Sequence, residues 1–240
     1  MVKEKILNLF YPKRCPLCQE IVKGDAEICV PCNQQLKYIE EPKCKKCGKP
    51  FENVDERAEI REHCGDCSKF NHVYDMGMAV FQYNEAVRES IYRFKYQNQR
   101  TYAGFYGKVM AKEYGMLIRR LGVEVILPVP INEKKKITRG YNQAELVAAV
   151  LAQYVKCPLD AELLVRTKNT VPQKELTPQE RRNNLKNAFK ITNSIVKYKV
   201  VLLVDDIYTT GSTIDACAGV LKAAGVEKVY YISLAIGQGI

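Results

Sequence analysis

The apolar positions of this chain fall into two regimes. From residue 74 onward, short continuous apolar runs alternate with stretches in which apolar residues recur about every three to four positions, the spacing that gathers them on one helix face. Residues 76–83 read as a strand, and 85–96 as a helix with Val87, Ile91 and Phe94 on one face. A second helix is expected over 107–121, then a short strand over 123–129 ended by Pro128 and Pro130. A third helix follows over 142–154, where Leu146, Ala149, Val150 and Tyr154 group at helical spacing. Residues 199–204 form the clearest strand, an unbroken apolar run of the kind buried on both faces of a parallel sheet. A helix over 212–224 stops at Gly225, and 228–235 is a final strand. Such alternation predicts a doubly wound α/β domain with a parallel sheet and ligands at the carboxyl ends of its strands.

Ahead of residue 74 the pattern is different: large apolar side chains are few and cysteines recur in pairs. The expected organisation is therefore a small module over 1–70 and an α/β domain over 71–240. A chain of 240 residues, 47% apolar and 27% charged, has room for both. No stretch reaches the roughly 20 apolar residues of a membrane span, and residues 1–10 lack the apolar core and cleavage site of a secretion signal. We expect a cytoplasmic protein with no membrane insertion.

In that compartment cysteine pairs read as metal ligands rather than disulfides. Eight of the ten cysteines form four Cys-x-x-Cys turns: Cys15/Cys18, Cys29/Cys32, Cys44/Cys47 and Cys64/Cys67. Two such turns complete a tetrahedral four-thiolate zinc site. Two zinc ions are expected, sequentially paired on Cys15, Cys18, Cys29, Cys32 and on Cys44, Cys47, Cys64, Cys67, with an interleaved pairing left open. Their first role is structural, because a module this poor in apolar residues needs a staple. Direct nucleic-acid contact is the alternative role. Of the two histidines, His63 reads as an exposed loop residue beside Cys64, and His72 has no assignment. Cys157 and Cys217 read as small buried residues.

Charge refines the picture of partners. The net +10 is uneven: residues 1–70 carry 13 Lys and Arg against 12 Asp and Glu, whereas 71–240 carry 24 against 15. Zinc-bound thiolates add about four negative charges to the front module. The basic field belongs to the second domain, and phosphate-rich partners are expected there.

The densest chemistry lies in Asp205 to Thr213. An apolar strand delivers two adjacent acids, Asp205 and Asp206, to the sheet edge, where burial is costly unless hydroxyls or a cation satisfy them. Next comes Thr209-Thr210-Gly211-Ser212-Thr213, a hydroxyl-rich turn at the start of a helix, where backbone N–H groups and the helix dipole favour phosphate. A ribose with a 5-phosphate matches both features.

This segment resembles the signature of type I phosphoribosyltransferases, which bind phosphoribosyl pyrophosphate (PRPP). The resemblance implies that Asp205 and Asp206 hold the ribose hydroxyls and act at the anomeric carbon, while Thr209, Thr210, Gly211, Ser212 and Thr213 take the 5-phosphate. The order of the four cysteine turns, Phe94-Lys95-Tyr96, Pro128-Val129-Pro130, Arg139-Gly140-Tyr141-Asn142-Gln143-Ala144-Glu145-Leu146, Arg181-Arg182-Asn183-Asn184 and the PRPP motif is similar to ComF/ComFC proteins of bacterial DNA uptake in natural competence. That similarity implies a double zinc ribbon in front of a phosphoribosyltransferase domain, acting on imported single-stranded DNA. In the same frame Pro130 and Arg139 lie where pyrophosphate is received, together with Mg2+ held mainly by ligand oxygens and water. Lys134, Lys135 and Lys136 read as a solvated basic loop, and 166–184 as a long polar loop that either closes over the site or is plain surface, becoming a helix near Pro178.

Three functions remain open: a PRPP-binding factor that holds single-stranded DNA, with Tyr92, Phe94, Tyr96 and Tyr102 offering stacking surfaces; a PRPP-dependent transferase with an unknown acceptor; and a ribbon that docks recombination or DNA-uptake proteins. For Phe94, helical spacing favours the core.

Overall fold

Four of the apolar runs form one parallel sheet. A computed structural model describes residues 13–24, 26–51, 62–167, 185, 188–192 and 197–237. In chain order the elements are α1 (Val30–Gln35), α2 (Gly65–Lys69), β1 (Met76–Gln82), α3 (Glu85–Tyr96), α4 (Tyr102–Arg120), β2 (Val125–Pro128), α5 (Glu133–Arg139), α6 (Gln143–Val155), β3 (Leu164–Arg166), β4 (Phe189–Ile191), β5 (Val200–Tyr208), α7 (Ser212–Ala223) and β6 (Lys228–Ile236). The sheet order is β1-β6-β5-β2, with every neighbour parallel. β3 and β4 pair antiparallel beside it.

Alternation along β5 explains why its run is apolar throughout. Leu202 and Val204 enter a core with Ile91, Phe94, Phe105, Tyr106 and Leu151 of α3, α4 and α6. Val201 and Leu203 enter a second core with Ile214, Cys217 and Leu221 of α7. That second core also holds Ile39, Cys44, Cys47 and Cys64, so the second cysteine cluster covers sheet area that a helix covers in most doubly wound folds. The cover is hydrogen-bonded to β1: Gly77 N–H donates to the Lys46 carbonyl, Ile39 N–H to Val80 and Gln82 N–H to Lys37.

Three asparagines start three helices. Asn84, Asn132 and Asn142 accept from the N–H groups of Val87, Lys135 and Ala144, closing α3, α5 and α6 at their amino ends. The structure extends several expected elements. α4 begins at Tyr102 rather than 107, because Tyr102, Ala103, Phe105 and Tyr106 continue its buried face. β5 continues through both acids to Tyr208, since Ile207 and Tyr208 pair with Ala235 and Ile236 of β6.

Other readings are corrected. Lys134, Lys135 and Lys136 lie on helix α5, which Arg139 ends, rather than in a loop. Arg166 is the last residue of β3, not the first of a loop. Cys217 is buried as expected, but Cys157 is half-buried. Phe94 and Tyr102 are core residues, leaving Tyr92 and Tyr96 as the exposed aromatics of that stretch. Expectations for 1–10 and 168–184 lie outside the described residues. Among those described, no helix is long and apolar enough to cross a membrane.

Candidate functional site

The two acids separate by the same alternation that buries the strand. Asp206 follows Leu202 and Val204 to the α3 side, where its Oδ2 lies 2.8 Å from Lys95 Nζ. Asp205 follows Val201 and Leu203 to the side of α7 and β3. Burial, followed by the charge of Asp206, pushes the Asp205 carboxyl up to about 7, against the pull of the Asp206 N–H, Lys95 and Arg166. The Asp206 N–H donates to Asp205 Oδ1 at 2.8 Å.

Thr209 to Thr213 form a tight turn from β5 into α7. Gly211 has φ of +76°, and a side chain there would meet the Tyr208 hydroxyl at 2.6 Å and His72 Cε1 at 3.0 Å. Only glycine fits that conformation in that space. Among the described residues no side chain caps α7, and Thr210 Oγ1 and Ser212 Oγ lie 2.9 Å apart across the turn. A pocket of about 40 Å³ opens between Asp205 and this turn. Strand end, hydroxyl turn and twelve-residue helix thus converge on one point, the arrangement that receives anions.

Pro130 and Arg139 do not share that pocket. Pro130 is half-buried just past the end of β2, where the Val129 N–H donates to Val204 at 2.9 Å. Arg139 closes α5 and faces α3: it donates to Tyr96 Oη at 3.0 Å and Gln143 Oε1 at 2.9 Å, with its guanidinium 4.7 Å from the Tyr96 ring centre. Arg100 lies 4.8 Å from the Tyr141 ring centre and donates to Asn98 and to the Gly140 carbonyl. Lys95, Tyr96, Asn98, Arg100, Ile137 and Arg139 line an open cleft of about 350 Å³. Lys95 links the two sites, since it lines the cleft and pairs with Asp206.

The cysteines gather sequentially, four and four, which resolves the pairing that spacing left open. All the sulfurs of each group lie within 4.8 Å of one another. Sγ separations of 3.7 Å for Cys18–Cys29 and 3.6 Å for Cys47–Cys64 are close to the roughly 3.8 Å edge of a tetrahedron with ~2.3 Å zinc–sulfur bonds. They far exceed a disulfide bond of about 2.05 Å. Both sets therefore fit zinc. His63 is exposed and outside them.

The double zinc ribbon family matches residues 6–68, and the phosphoribosyl transferase domain family matches residues 141–237. Competence protein F of Haemophilus influenzae is 34% identical over 238 residues, covering 94% of this chain and 98% of that protein. The chain belongs to the ComF/ComFC family. Within it, DNA utilization protein YhgH of Escherichia coli O157:H7 is 28% identical over 92% of this chain and 96% of its own. Competence protein ComFC of Bacillus subtilis is 25% identical over 87% and 85%.

In this ComF/ComFC chain, two residues beside the motif escaped sequence reasoning. Lys95 stands in the sequence only as the middle of Phe94-Lys95-Tyr96; its place in the last turn of α3, one step from buried Phe94, was the available signal. His72 had none. It is 7% exposed, its Nδ1 lies 2.7 Å from Asp215 Oδ2, and the two residues are 143 positions apart.

Proposed function

We propose that this ComF/ComFC chain binds PRPP with Mg2+ and handles single-stranded DNA during DNA uptake in the cytoplasm, as the names competence protein F and DNA utilization protein given to its relatives suggest. The observation that carries the proposal is the convergence of Asp205, Asp206 and the Gly211 turn on the amino end of α7. In this reading Asp205 and Asp206 accept from the ribose hydroxyls. Thr209 to Thr213 surround the 5-phosphate. Arg139 and the chain after Pro130 would lie on the approach of the pyrophosphate, whose charge a bound Mg2+ would help to neutralise. Residues 1–70 form the ribbon unit, whose two zinc ions hold its fold, and 71–240 the ligand-binding unit.

Single-stranded DNA has a surface suited to it. Tyr92 and Tyr96 are 50% and 53% exposed with ring centres 5.0 Å apart, and Arg139 and Arg100 donate to neutral acceptors beside them. Exposed aromatic rings beside cations favour stacked bases and their phosphates. Docking of DNA-uptake or recombination proteins is a further partner class in this reading.

Titration of PRPP and Mg2+ into wild type and Asp205→Ala/Asp206→Ala, with and without single-stranded DNA at about 50 mM salt, tests it. Binding in wild type and its loss in the variant are expected. Absence of both ligands from wild type would reject the proposal.

A second reading, PRPP-dependent transfer, is favoured by the 350 Å³ cleft that reaches Asp206 through Lys95. An acceptor held there would bond to the anomeric carbon as the bond to pyrophosphate breaks. Pyrophosphate release on adding bases, amines or DNA is its measure, and none with PRPP bound would exclude it.

A further inference from the structure

We infer that the second four-cysteine site braces the Thr209–Thr213 turn through His72, Tyr74 and Tyr231, so that metal loading of that site and phosphate binding are coupled. The inference rests on the reading that this turn takes a phosphate.

Three connections run from the ribbon side to the turn, the first two of them buried. In the first, the Tyr231 hydroxyl donates to the Cys47 carbonyl at 2.7 Å. Its ring stacks on that of Tyr208 at 4.8 Å and 5°, and Tyr208 is the last residue of β5 before the turn. Gly77 makes this possible, since a side chain there would overlap the Tyr231 ring. In the second, the Tyr74 hydroxyl lies 2.7 Å from that of Tyr208, and the Tyr74 ring meets the Tyr231 ring edge-on at 4.9 Å. In the third, Asp215 in the first turn of α7 accepts from the Val73 N–H at 2.8 Å and pairs with His72 at 2.7 Å. His72 and Tyr74 lie only a few positions after Cys67, the last ligand of the site.

These residues form the floor of the turn. Tyr208 and His72 are the atoms that a side chain at Gly211 would strike. Tyr74, Tyr208 and Tyr231 are at most 4% exposed, so a shift in one is passed to the next rather than absorbed by solvent. His72 Nε2 is buried without a hydrogen-bond partner among the described residues, and the ring stacks on that of Tyr74 at 4.9 Å. The Cys47 carbonyl lies within the metal-binding turn itself. An ion on Cys44, Cys47, Cys64 and Cys67 fixes that carbonyl; without one, the turn keeps only its packing against the sheet and α7. Coupling of this kind is reciprocal: if the metal tightens the phosphate site, a bound phosphate must retain the metal by the same factor. Among the described residues the first four-cysteine site has no such route. Its Pro16 and Leu17 carbonyls accept from Arg93 of α3, on the other side of the sheet.

The experiment uses the zinc-loaded full chain with ribose 5-phosphate as probe. Affinity is measured by calorimetry, zinc content and zinc release by a chromogenic chelator, and amide hydrogen exchange by mass spectrometry. Tyr231→Phe keeps the ring and removes the one hydroxyl. It is expected to retain both zinc ions, bind the probe about 5- to 20-fold more weakly and speed one of the two zinc-release phases. Saturating probe should slow that same phase in wild type. His72→Leu should weaken binding similarly, while His72→Asn, which keeps an N–H toward Asp215, recovers most of it. Variants that bind within twofold of wild type, with zinc release indifferent to the probe, would overturn the brace and leave phosphate binding intact. If wild type ignores the probe, the phosphate reading itself fails. The brace is then decided without ligand: exchange of amides 208–214 accelerated in Tyr231→Phe, with α4 unchanged, upholds it, and unchanged exchange overturns it.

Discussion

Adjacent carboxylates at a strand end repel each other, and this chain separates them by strand alternation. Asp206 has Lys95 at 2.8 Å, with both side chains under 20% exposed, whereas Asp205 carries the burden of burial. Its carboxyl is raised to about 7, so the fold prefers it neutral. The stability linked to that preference is fully present below the ordinary aspartate value near 4 and is lost as pH rises from there through about 7. Asp205→Asn should therefore flatten the decline in denaturant stability over that window and add about 1–3 kcal/mol at pH 8. The same variant should lose PRPP binding at least tenfold. In wild type, PRPP affinity should rise between pH 6 and 8, because an ionised Asp205 accepts better from ribose hydroxyls; calorimetry across that range checks both. Lys95→Met keeps the aliphatic stem but leaves Asp206 without its cation. A stability loss of about 1–3 kcal/mol is expected in urea melts.

At the scale of elements, the surface where α3 and α5 meet carries the DNA prediction. Tyr96→Ala should cost single-stranded DNA about 1–3 kcal/mol of binding, the worth of one stacked base. Arg139→Met should lower the slope of log affinity against log salt by about 0.7 if it meets one phosphate. Filter or anisotropy titrations at several salt concentrations separate the two effects. That surface was only half legible in the sequence, and the reason is physical. Runs buried on both faces, such as β5, and single amphipathic faces, such as α3, declare themselves locally. α5 does not: its lysines hide a helix whose signals were Asn132 at one end and Gly140 at the other. β3 and β4 are three residues each and find one another across more than twenty intervening positions, beyond any local pattern. The phosphate turn was readable because its chemistry is contiguous. Lys95 and His72 reach their acids through the fold, so neither pairing has a local signature.

For the whole molecule, the ribbon is a covering layer as well as an appendage. Ile39, Cys44, Cys47 and Cys64 share a core with β1, β6 and α7, while Arg93 holds the first cysteine turn against α3. Stripping zinc with a strong chelator should thus destabilise the α/β domain too. We expect the thermal midpoint of a domain signal, such as helix ellipticity, to fall by about 5 °C or more, given roughly 2–4 °C per kcal/mol for a chain of this size. A chain starting at residue 71 should expose the apolar face of β1 and β6 and aggregate, which light scattering detects.

The brace also has an optical consequence. The chain has 15 tyrosines and no tryptophan, so its near-ultraviolet signal is set by tyrosine. Tyr208 and Tyr231 lie almost parallel at 4.8 Å, with Tyr74 perpendicular to the pair. Rings this close and this rigid share their excited states, and in a chiral setting such a trio outweighs mobile surface tyrosines in circular dichroism. The molecule thus carries its own unlabelled reporter at the junction of ribbon and phosphate turn, and a change in that band tells when the junction loosens.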